Sequence, residues 1–561
     1  MKNRQRIMKN YVLAIFCLLS LTALSQIAES DAVDKVFADW KKPNTPGAAL
    51  GIVKDGKLVY AKGYGIGDLE HDLPITSSSV FYTGSVSKQF VTFAILLLEE
   101  EGKLNLDDEI QVYLPDFPKY ETPLTIRHFI HHTSGVRDFL TLMALKGRNY
   151  LDHMEVDEVY NLIKSQKVLN FPPGDQYLYS NSCYFMLAMI VEKAAGKSIR
   201  DFAEEKMFGP LGMDNTLFYD DNRDLIKNKV FSYEKKTDGN GFNNLIMRFD
   251  LVGSGGVYSN IEDLLLWDQN FYNNKLGKGG QGIINKMHEE GLLNNGKSSG
   301  YAFALHNGTY KGLKTVSHGG SLAGYRAQLM RFPEQNFSVI ILANRNDANP
   351  TAMSYQIADI LLKDDLKEEP KKIVKKVDKP TSNSKTEFAL KQMVGVYQLQ
   401  QGVDVAVTIK DGGLNVLQKW NNSSYPIVNT TGNTFEIPNN DTIQFIFSNL
   451  DNEQTQELTV VQNGSKTICK RKEKTNLSET NLDAYLGNYY SAEIDAVYQI
   501  IKEDGKLKVK IPNEQPGDIE RIDNDKFLYD GVVFRFSKTD GKITSLFVDA
   551  GRVKNLEFVK Q

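Results

Sequence analysis

The sequence predicts an α+β fold in which one sheet is assembled from both ends of a domain and is followed by two small antiparallel β units. Strand-like segments near residues 48–63 and 301–343 enclose a helix-rich block, which favours a single sheet with helices packed on it. Beyond residue 386 the pattern is β throughout, and matched residues recur 92 positions apart. The matched pairs are Gly395 and Gly487, Ile409 and Ile501, and Phe435 and Phe527.

Length and charge limit the kinds of function that the chain can have. Its 561 residues allow roughly three or four domains of about 150 residues. The net charge of −4 argues against a nucleic-acid partner held by bulk charge, so we expect a small-molecule or peptide substrate. We predict a main domain over 26–363, a charged linker over 364–386, and β units over 387–474 and 475–561. The oligomeric state is left open.

The first 25 residues are typical of a signal peptide. Four basic residues precede an apolar run over 11–24, which ends in small residues before a cleavage site predicted after Ser25. The run is shorter than the ~20 residues that a membrane span needs. We therefore expect an exported protein, periplasmic or secreted, with no stable membrane span after cleavage; a retained anchor is the alternative. The remaining cysteines, Cys183 and Cys469, are expected to be free thiols.

The order of elements follows from periodicity and turn signals. A hairpin is predicted from 48–54 and 58–63, joined at Asp55-Gly56. Gly253 to Gly256 indicate backbone that passes close to another group. Helices are predicted over 85–102, 124–135, 155–166, 182–195, 261–271 and 352–362, and further strands over 301–305, 313–317, 325–332 and 339–343, with a turn at 306–308.

The first candidate catalytic residues lie in the stretch from Phe81 to Gly102, where a helix is predicted to begin at Ser85 and to end at Gly102. It is apolar nearly all round, so we expect it to be buried. Ser85 would lie at its N-terminus, and Lys88, three residues on, would share its face. Burial lowers the pKa of a lysine, so that its amine can accept the proton of a nucleophilic hydroxyl.

A second segment, Tyr179-Ser180-Asn181, offers a further base and a substrate-binding amide. It follows a Pro-Pro-Gly loop and precedes a helix, a position from which side chains can project into a cleft. A phenol beside a lysine ammonium ionises more easily, so Tyr179 is expected to share the role of base with Lys88. A capping role for Asn181 is the alternative. Similar triplets occur at Tyr258 to Asn260 and at Tyr272 to Asn274.

A third segment runs from His318 to Ser321. Gly319 and Gly320 on a sheet edge would allow an extended substrate to lie beside the backbone. Backbone N–H groups there and at Ser85 could hold an oxyanion. A structural histidine is the alternative for His318. No Cys/His cluster has metal-site spacing, and we expect neither a metal nor a cofactor; packing roles are expected for His128, His131 and His132.

These three segments, in this order, resemble the penicillin-recognising serine hydrolases, in the branch of class C β-lactamases, DD-carboxypeptidases and esterases. The resemblance covers roughly residues 33 to 362. It implies a β-lactamase-like fold, with an antiparallel sheet flanked by helices and an all-helical subdomain. The two β units that follow resemble the architecture of D-aminopeptidases of this family.

The resemblance also implies roles for the candidate residues. Ser85 would be the nucleophile, Lys88 and Tyr179 the bases, and the N–H groups of Ser85 and Ser321 the oxyanion hole. Asn181, His318 and Gly320 would bind substrate. The third segment is His-Gly-Gly where class C β-lactamases have Lys-Thr-Gly, which favours D-amino-acid peptides or peptidoglycan-type peptides over β-lactams. A carboxylesterase or weak β-lactamase is the alternative enzyme, and an inactive penicillin-binding sensor the alternative of another class.

Overall fold

The structure, a computed structural model, describes residues 27–367, 390–472 and 481–561. The middle range has short gaps at 401–402, 411, 420–422, 439, 452–453 and 463–464. The predicted signal peptide and most of the predicted linker lie outside the described residues. Within the described ranges, no helix has the length and apolar character needed to cross a membrane.

A six-stranded antiparallel sheet forms the centre of the N-terminal domain, residues 27–367. The N-terminal hairpin joins the later strands through the pairing of Ala48 with Ala343. The prediction of one sheet built from both ends of the domain is therefore confirmed. The strands lie in the order His306–Tyr310, Leu313–Leu322, Tyr325–Phe332, Phe337–Ala343, Ala48–Lys54 and Lys57–Tyr64.

The sheet separates two hydrophobic cores, because successive side chains of a strand point to opposite faces. Leu50 and Ile52 pack on one face against helices Ser30–Val36 and Pro350–Leu361. Ala49 and Val53 lie in the larger core on the other face, which holds the helical block. The helices of that block are Lys88–Glu100, Ile126–Ile130, Phe139–Leu145, Val156–Lys164, Asn181–Ala195, Ile199–Ala203, Ile261–Asn270 and Gly282–Met287.

The central helix, Lys88–Glu100, is buried as predicted. Every side chain from Lys88 to Leu98 is buried, in keeping with its apolar character all round. The helix ends just before Gly102, whose φ of 72° gives the left-handed conformation that stops a helix. The helix was predicted to begin at Ser85; in the structure Ser85 lies in the 3₁₀ turn Gly84–Ser87 that leads directly into it, after the short strand Phe81–Tyr82.

The prediction was wrong at one edge of the sheet. Residues 301–305 form no strand; they are an irregular and fully buried segment, whose apolar character imitates that of a strand. The predicted turn at 306–308 is instead the strand His306–Tyr310, and the real turn is Lys311-Gly312. The next strand is Leu313–Leu322, hereafter the edge strand. Its pairing with His306–Tyr310 ends at Ser317, which pairs with His306, and the edge strand continues beyond that point to Leu322.

Two β units follow, as predicted. The first is a closed barrel of eight strands between Gly395 and Arg471, and the second a nine-stranded sheet between Gly487 and Lys560. The 92-residue spacing locates the difference between the closed barrel and the open sheet. The single strand Ser423–Thr431 of the first unit corresponds to two short strands, Gly517–Asp518 and Glu520–Asp523, which leave the second sheet open.

The second β unit is docked on the N-terminal domain. The buried guanidinium of Arg137 forms an ion pair with the buried carboxylate of Glu493 at 2.8 Å. It also donates to the carbonyl oxygens of Lys554 and Asn555. The hydroxyl of Tyr498 donates to the carbonyl of Leu145 at 2.7 Å. This contact sets the second unit beside the pocket described next.

Candidate active site

Ser85 opens into a pocket of about 540 Å³, hereafter the Ser85 pocket. It lies in the 3₁₀ turn Gly84–Ser87, directly before the central helix, and is the half-buried member of an otherwise buried turn. The pocket is also lined by predicted residues from the other two segments, namely Tyr179, Asn181, His318, Gly320 and Ser321. Lys88 lies buried beneath Ser85. The structure therefore brings all seven candidate residues together.

Lys88 holds its amine against the hydroxyl of Ser85. The Nζ–Oγ distance is 3.1 Å, and Nζ also donates to Asn181 Oδ1 at 2.9 Å and to the carbonyl oxygen of Ser254. Burial lowers the pKa of Lys88 well below its ordinary value, and the nearby cation of Arg552 lowers it further. A neutral amine has two N–H donors, so the two carbonyl-type acceptors direct its lone pair towards Ser85.

The carbonyl of Ser254 reaches Lys88 because of the glycines around it. A Cβ on Gly253 would lie 2.3 Å from the carbonyl oxygen of Tyr184, and one on Gly255 would lie 2.2 Å from the hydroxyl of Tyr82. Neither position has room for a side chain. The prediction that this segment passes close to other groups is confirmed.

Asn181 is positioned by Asp138, a residue that the sequence did not indicate. The fully buried Asp138 carboxylate accepts from the backbone N–H of Asn181 at 2.7 Å and from its side-chain amide at 2.8 Å. The amide nitrogen thus faces Asp138, and the amide oxygen faces Lys88. The capping alternative for Asn181 does not fit, since its side chain contacts Lys88 and Asp138.

Tyr179 lies beside the pair of Ser85 and Lys88. Lys88 Nζ is 4.8 Å from the centre of its ring, and the phenol is hydrogen-bonded to Ser85. Burial raises the pKa of Tyr179 above its ordinary value, which the Ser85 hydrogen bond and the Arg552 cation offset only in part. The expectation that Lys88 would make this phenol acidic was wrong in sign: the lysine is the group whose pKa falls, and Tyr179 stays a neutral phenol.

The edge strand presents unpaired backbone to Ser85. Among the residues that the structure describes, those of the edge strand beyond Ser317 pair with Tyr325–Phe332 on one side alone. Its two-residue turn makes Leu322 and Tyr325 a hydrogen-bonded pair, so the N–H of Ser321 points away from that partner. The N–H of Ser85, in the first turn of a helical segment, has no intrahelical acceptor. These two N–H groups can therefore bind one oxyanion.

Because Gly84 and Gly320 have no side chain, the edge strand can lie close to the turn that holds Ser85. A Cβ on Gly320 would lie 1.9 Å from the carbonyl oxygen of Thr83 and 3.0 Å from the backbone nitrogen of Ser85. A Cβ on Gly84 would lie 2.5 Å from the nitrogen of Ser321. Gly320 thus acts through its lack of a side chain.

His318 is a neutral ring with a defined tautomer. Its Nδ1 lies 2.6 Å from the carbonyl oxygen of Gly319, which can only accept, so Nδ1 carries the proton. Nε2 therefore accepts from the hydroxyl of Tyr301 at 2.9 Å. Burial, followed by nearby His306 and Lys88, lowers the pKa of His318 to about 3.

Sequence reasoning missed four contributors to this pocket. Asp138 and Tyr301 carry no motif, and Ser254 lies in the predicted glycine segment, whose partner the sequence did not indicate; all three were found through their hydrogen bonds. Arg552 comes from the second β unit, in which the sequence indicated no candidate site residue. Its guanidinium lies 4.7 Å from the ring centre of Tyr179.

The competing motifs have structural roles. Asn260 caps the helix Ile261–Asn270 through the N–H of Asp263 at 2.8 Å. His131 packs against Phe303 with ring centres 4.7 Å apart and His132 against Tyr179 at 4.1 Å, as expected, whereas His128 forms a capping box with Thr125. Both Cys183 and Cys469 are buried free thiols, as predicted.

Comparison with known proteins agrees with this geometry. The family model described as Beta-lactamase matches residues 32–362. Penicillin-binding protein 4* of Bacillus subtilis (strain 168) is 29% identical over 377 residues, which is 64% of this chain and 80% of the relative. A D-aminopeptidase of Cereibacter sphaeroides (strain ATCC 17023) is 29% identical over 318 residues, 56% of this chain and 60% of the relative. The match thus spans less than two thirds of the D-aminopeptidase.

Solved structures share the fold. The octameric penicillin-binding protein homologue from Pyrococcus abyssi superposes with a TM-score of 0.54 at 22% identity, over 87% of this chain and 98% of that chain. A D-stereospecific amidohydrolase from Streptomyces sp. superposes with a TM-score of 0.50 at 18% identity, over 59% of this chain and 98% of that chain. With a family model that covers more than half of its length, this chain belongs to the beta-lactamase family of serine hydrolases.

Proposed function

We propose that this chain is an exported hydrolase that forms an acyl-enzyme at Ser85 and cleaves amide or ester bonds in D-amino-acid or peptidoglycan-type peptides. The observation that carries the proposal is the hydrogen bonding of Lys88. A buried amine with a lowered pKa has two fixed acceptors and one hydroxyl neighbour, which is the arrangement that a general base for Ser85 requires.

Acylation follows from this geometry. Ser85 Oγ attacks the substrate carbonyl carbon while Lys88 Nζ takes the hydroxyl proton. The carbonyl oxygen becomes an oxyanion, which the N–H groups of Ser85 and Ser321 bind. The proton passes through the phenol of Tyr179 to the leaving amine or alkoxide, and the bond between carbonyl carbon and leaving group breaks. Tyr179 acts as a relay, since its raised pKa keeps it protonated.

Deacylation repeats these steps with water. Water adds to the acyl carbon as its proton moves to Lys88, the oxyanion forms again in the same place, and Ser85 Oγ leaves and regains a proton. The products are the free acid and the restored hydroxyl. Every proton transfer in the cycle uses a side chain described above.

The substrate class is supported by several independent features. The relatives named above include D-aminopeptidases and a penicillin-binding protein, and a D-stereospecific amidohydrolase shares the fold. The unpaired edge strand suits an extended peptide, which can add to a sheet edge through backbone hydrogen bonds. The predicted signal peptide supports export.

Hydrolysis by purified protein tests the proposal. Ser85→Ala should abolish release of p-nitroaniline from free and N-acylated D-alanyl anilides and of p-nitrophenol from acetate esters, together with labelling by a fluorescent phosphonate. Ser78→Ala, which removes a hydroxyl bonded to neighbouring Thr76, is the matched control and should keep full activity. Equal turnover by wild type and Ser85→Ala would overturn the proposal. Esters cleaved without any anilide would assign a carboxylesterase instead.

A further inference from the structure

The Ser85 pocket has a positive wall. Its lining includes two arginines, Arg326 and Arg552, and within the described residues no aspartate or glutamate lines it. The pKa of His318 is lowered to about 3, so its ring adds no charge near neutral pH, and burial also lowers the pKa of Lys88 well below its ordinary value. The arginines therefore set the sign of the potential that a substrate meets.

Arg552 reaches this pocket from a tight hairpin turn of the second β unit. Ala550 pairs with Val553, so Gly551 and Arg552 form a two-residue hairpin turn. The carbonyl oxygen of Arg552 accepts from Asn170 Nδ2 at 2.9 Å. Two residues further on, the N–H of Lys554 donates to Asn170 Oδ1 at 2.8 Å. The turn is thus held by hydrogen bonds from its backbone to Asn170, so the side chain of Arg552 is not needed to hold it in place.

The guanidinium of Arg552 has N–H donors that are not used within the described structure. Its single polar partner in the described structure is the Asp138 carboxylate, at a distance of 3.7 Å, and its side chain is 42% exposed. One face stacks on the ring of Tyr179. A guanidinium carries five N–H donors in a planar fork that matches a carboxylate. The edge that points into the pocket can therefore bind a substrate carboxylate in bidentate fashion.

The pocket continues into a cleft of about 770 Å³ between the N-terminal domain and the second β unit. Both arginines line both cavities, together with Ser321 and Leu322 of the edge strand. The cleft is also lined by four acidic residues, Asp138, Glu234, Glu514 and Asp530. The Ser85 pocket, which holds the nucleophile, is therefore the cavity in which the two arginines have no aspartate or glutamate among the described lining residues.

We propose that Arg552, supplied by the second β unit and assisted by Arg326, forms a carboxylate-binding subsite of the Ser85 pocket, so that the enzyme selects anionic peptides. This inference rests on the proposed function and narrows its substrate class. A substrate of an aminopeptidase carries a protonated amine next to the scissile carbonyl. Two guanidiniums repel that charge, so an N-terminal amine is disfavoured here.

Two matched substrate series test the subsite. On the acyl side, succinyl-D-alanyl p-nitroanilide is compared with its uncharged succinamoyl isostere and with D-alanyl p-nitroanilide, which has a free amine. On the leaving side, acetyl-D-alanyl-D-alanine is compared with its C-terminal amide. The variants are Arg552→Gln, Arg552→Lys and the control Lys542→Gln, which removes an exposed cation from the far end of the strand that leads to Arg552.

We expect wild type to prefer the anionic member of at least one series. Arg552→Gln should reduce that anionic-to-neutral ratio of kcat/KM by about tenfold or more, Arg552→Lys should retain part of it, and Lys542→Gln should leave it unchanged. Comparable melting temperatures show that the variants are folded. Ratios that do not respond to Arg552 in either series, or a free-amine anilide as the best substrate, would overturn the subsite alone. No Ser85-dependent hydrolysis of any substrate would overturn the proposed function and the subsite with it.

Discussion

The carboxylate of Asp138 accepts two hydrogen bonds from Asn181, one from the backbone N–H at 2.7 Å and one from the side-chain amide at 2.8 Å. This pair fixes which end of the Asn181 amide faces Lys88. The orientation of the proposed base thus depends on a buried charge that touches neither Lys88 nor Ser85 through a hydrogen bond. Asp138 is a positioning residue.

Asp138→Asn should lower kcat/KM roughly 10- to 100-fold, which corresponds to about 1–3 kcal/mol for a buried amide left without its acceptor. The new amide can present either end to Asn181, so Asn181 Oδ1 is no longer held against Lys88. Steady-state kinetics on a neutral anilide measure the effect. Asp201→Asn, at an exposed carboxylate, is the control. Wild-type kinetics in Asp138→Asn would show that Asn181 is oriented by other contacts.

Gly320→Ala should abolish most activity, because its new Cβ would lie 1.9 Å from the carbonyl oxygen of Thr83. The edge strand must move away, which separates the N–H groups of Ser85 and Ser321. Loss of one oxyanion donor costs roughly 10²–10³ in kcat. Gly319→Ala is the matched control, since its Cβ would meet the end of the Gln328 side chain at 3.0 Å. Equal losses in the two variants would argue against this role for Gly320.

The acidic limb of the pH profile should report Lys88. Its pKa is lowered by burial and then by the Arg552 cation, while the Asp138 charge acts in the opposite direction. Arg552→Gln removes a like charge, so the pKa of Lys88 rises and the limb moves to higher pH. Asp138→Asn removes an opposite charge and moves it to lower pH. The measurement is kcat/KM for an uncharged ester against pH, which reports the free enzyme.

A shift in the same direction for both variants would contradict the assignment of that limb to Lys88. His318 provides an internal check. With a pKa of about 3, its ring is neutral throughout the neutral range. His318→Asn should therefore remove no ionisation between pH 5 and pH 8, whatever its effect on rate.

The sequence predicted those features of the site that have a local signal. Ser85 precedes an all-apolar helix, and the two glycines beside His318 mark a backbone approach; both patterns are visible in one segment. Asp138 and Tyr301 contribute through contacts between distant segments, for which a single sequence contains no period or spacing. Arg552 is further removed, since it lies in a hairpin turn of another unit.

The two failures have physical causes of the same kind. Residues 301–305 are apolar because they are buried, and an irregular buried segment has the same composition as a strand. The pKa of Tyr179 was predicted from its charged neighbour alone. In the structure burial disfavours the charged form of both groups, so it lowers the pKa of Lys88 and raises the pKa of Tyr179. Burial is a property of the whole fold, so neither result could be obtained from local pattern.

Glu493→Ala should loosen the docking of the second β unit. The side chains of Arg137 and Glu493 are 0% and 4% exposed, and removing one partner of such a pair leaves a buried charge that costs about 3–5 kcal/mol. The loss of stability should appear as a lower urea concentration at the midpoint of unfolding. Glu503→Ala, which breaks an exposed pair with Lys508, should leave the midpoint of unfolding in urea nearly unchanged. Because Arg137 also binds the backbone of Lys554 and Asn555, next to Arg552, the loosened unit should lose preference for anionic substrates. A destabilised Glu493→Ala enzyme that kept its full charge preference would show that the Arg552 turn is held in place without this ion pair.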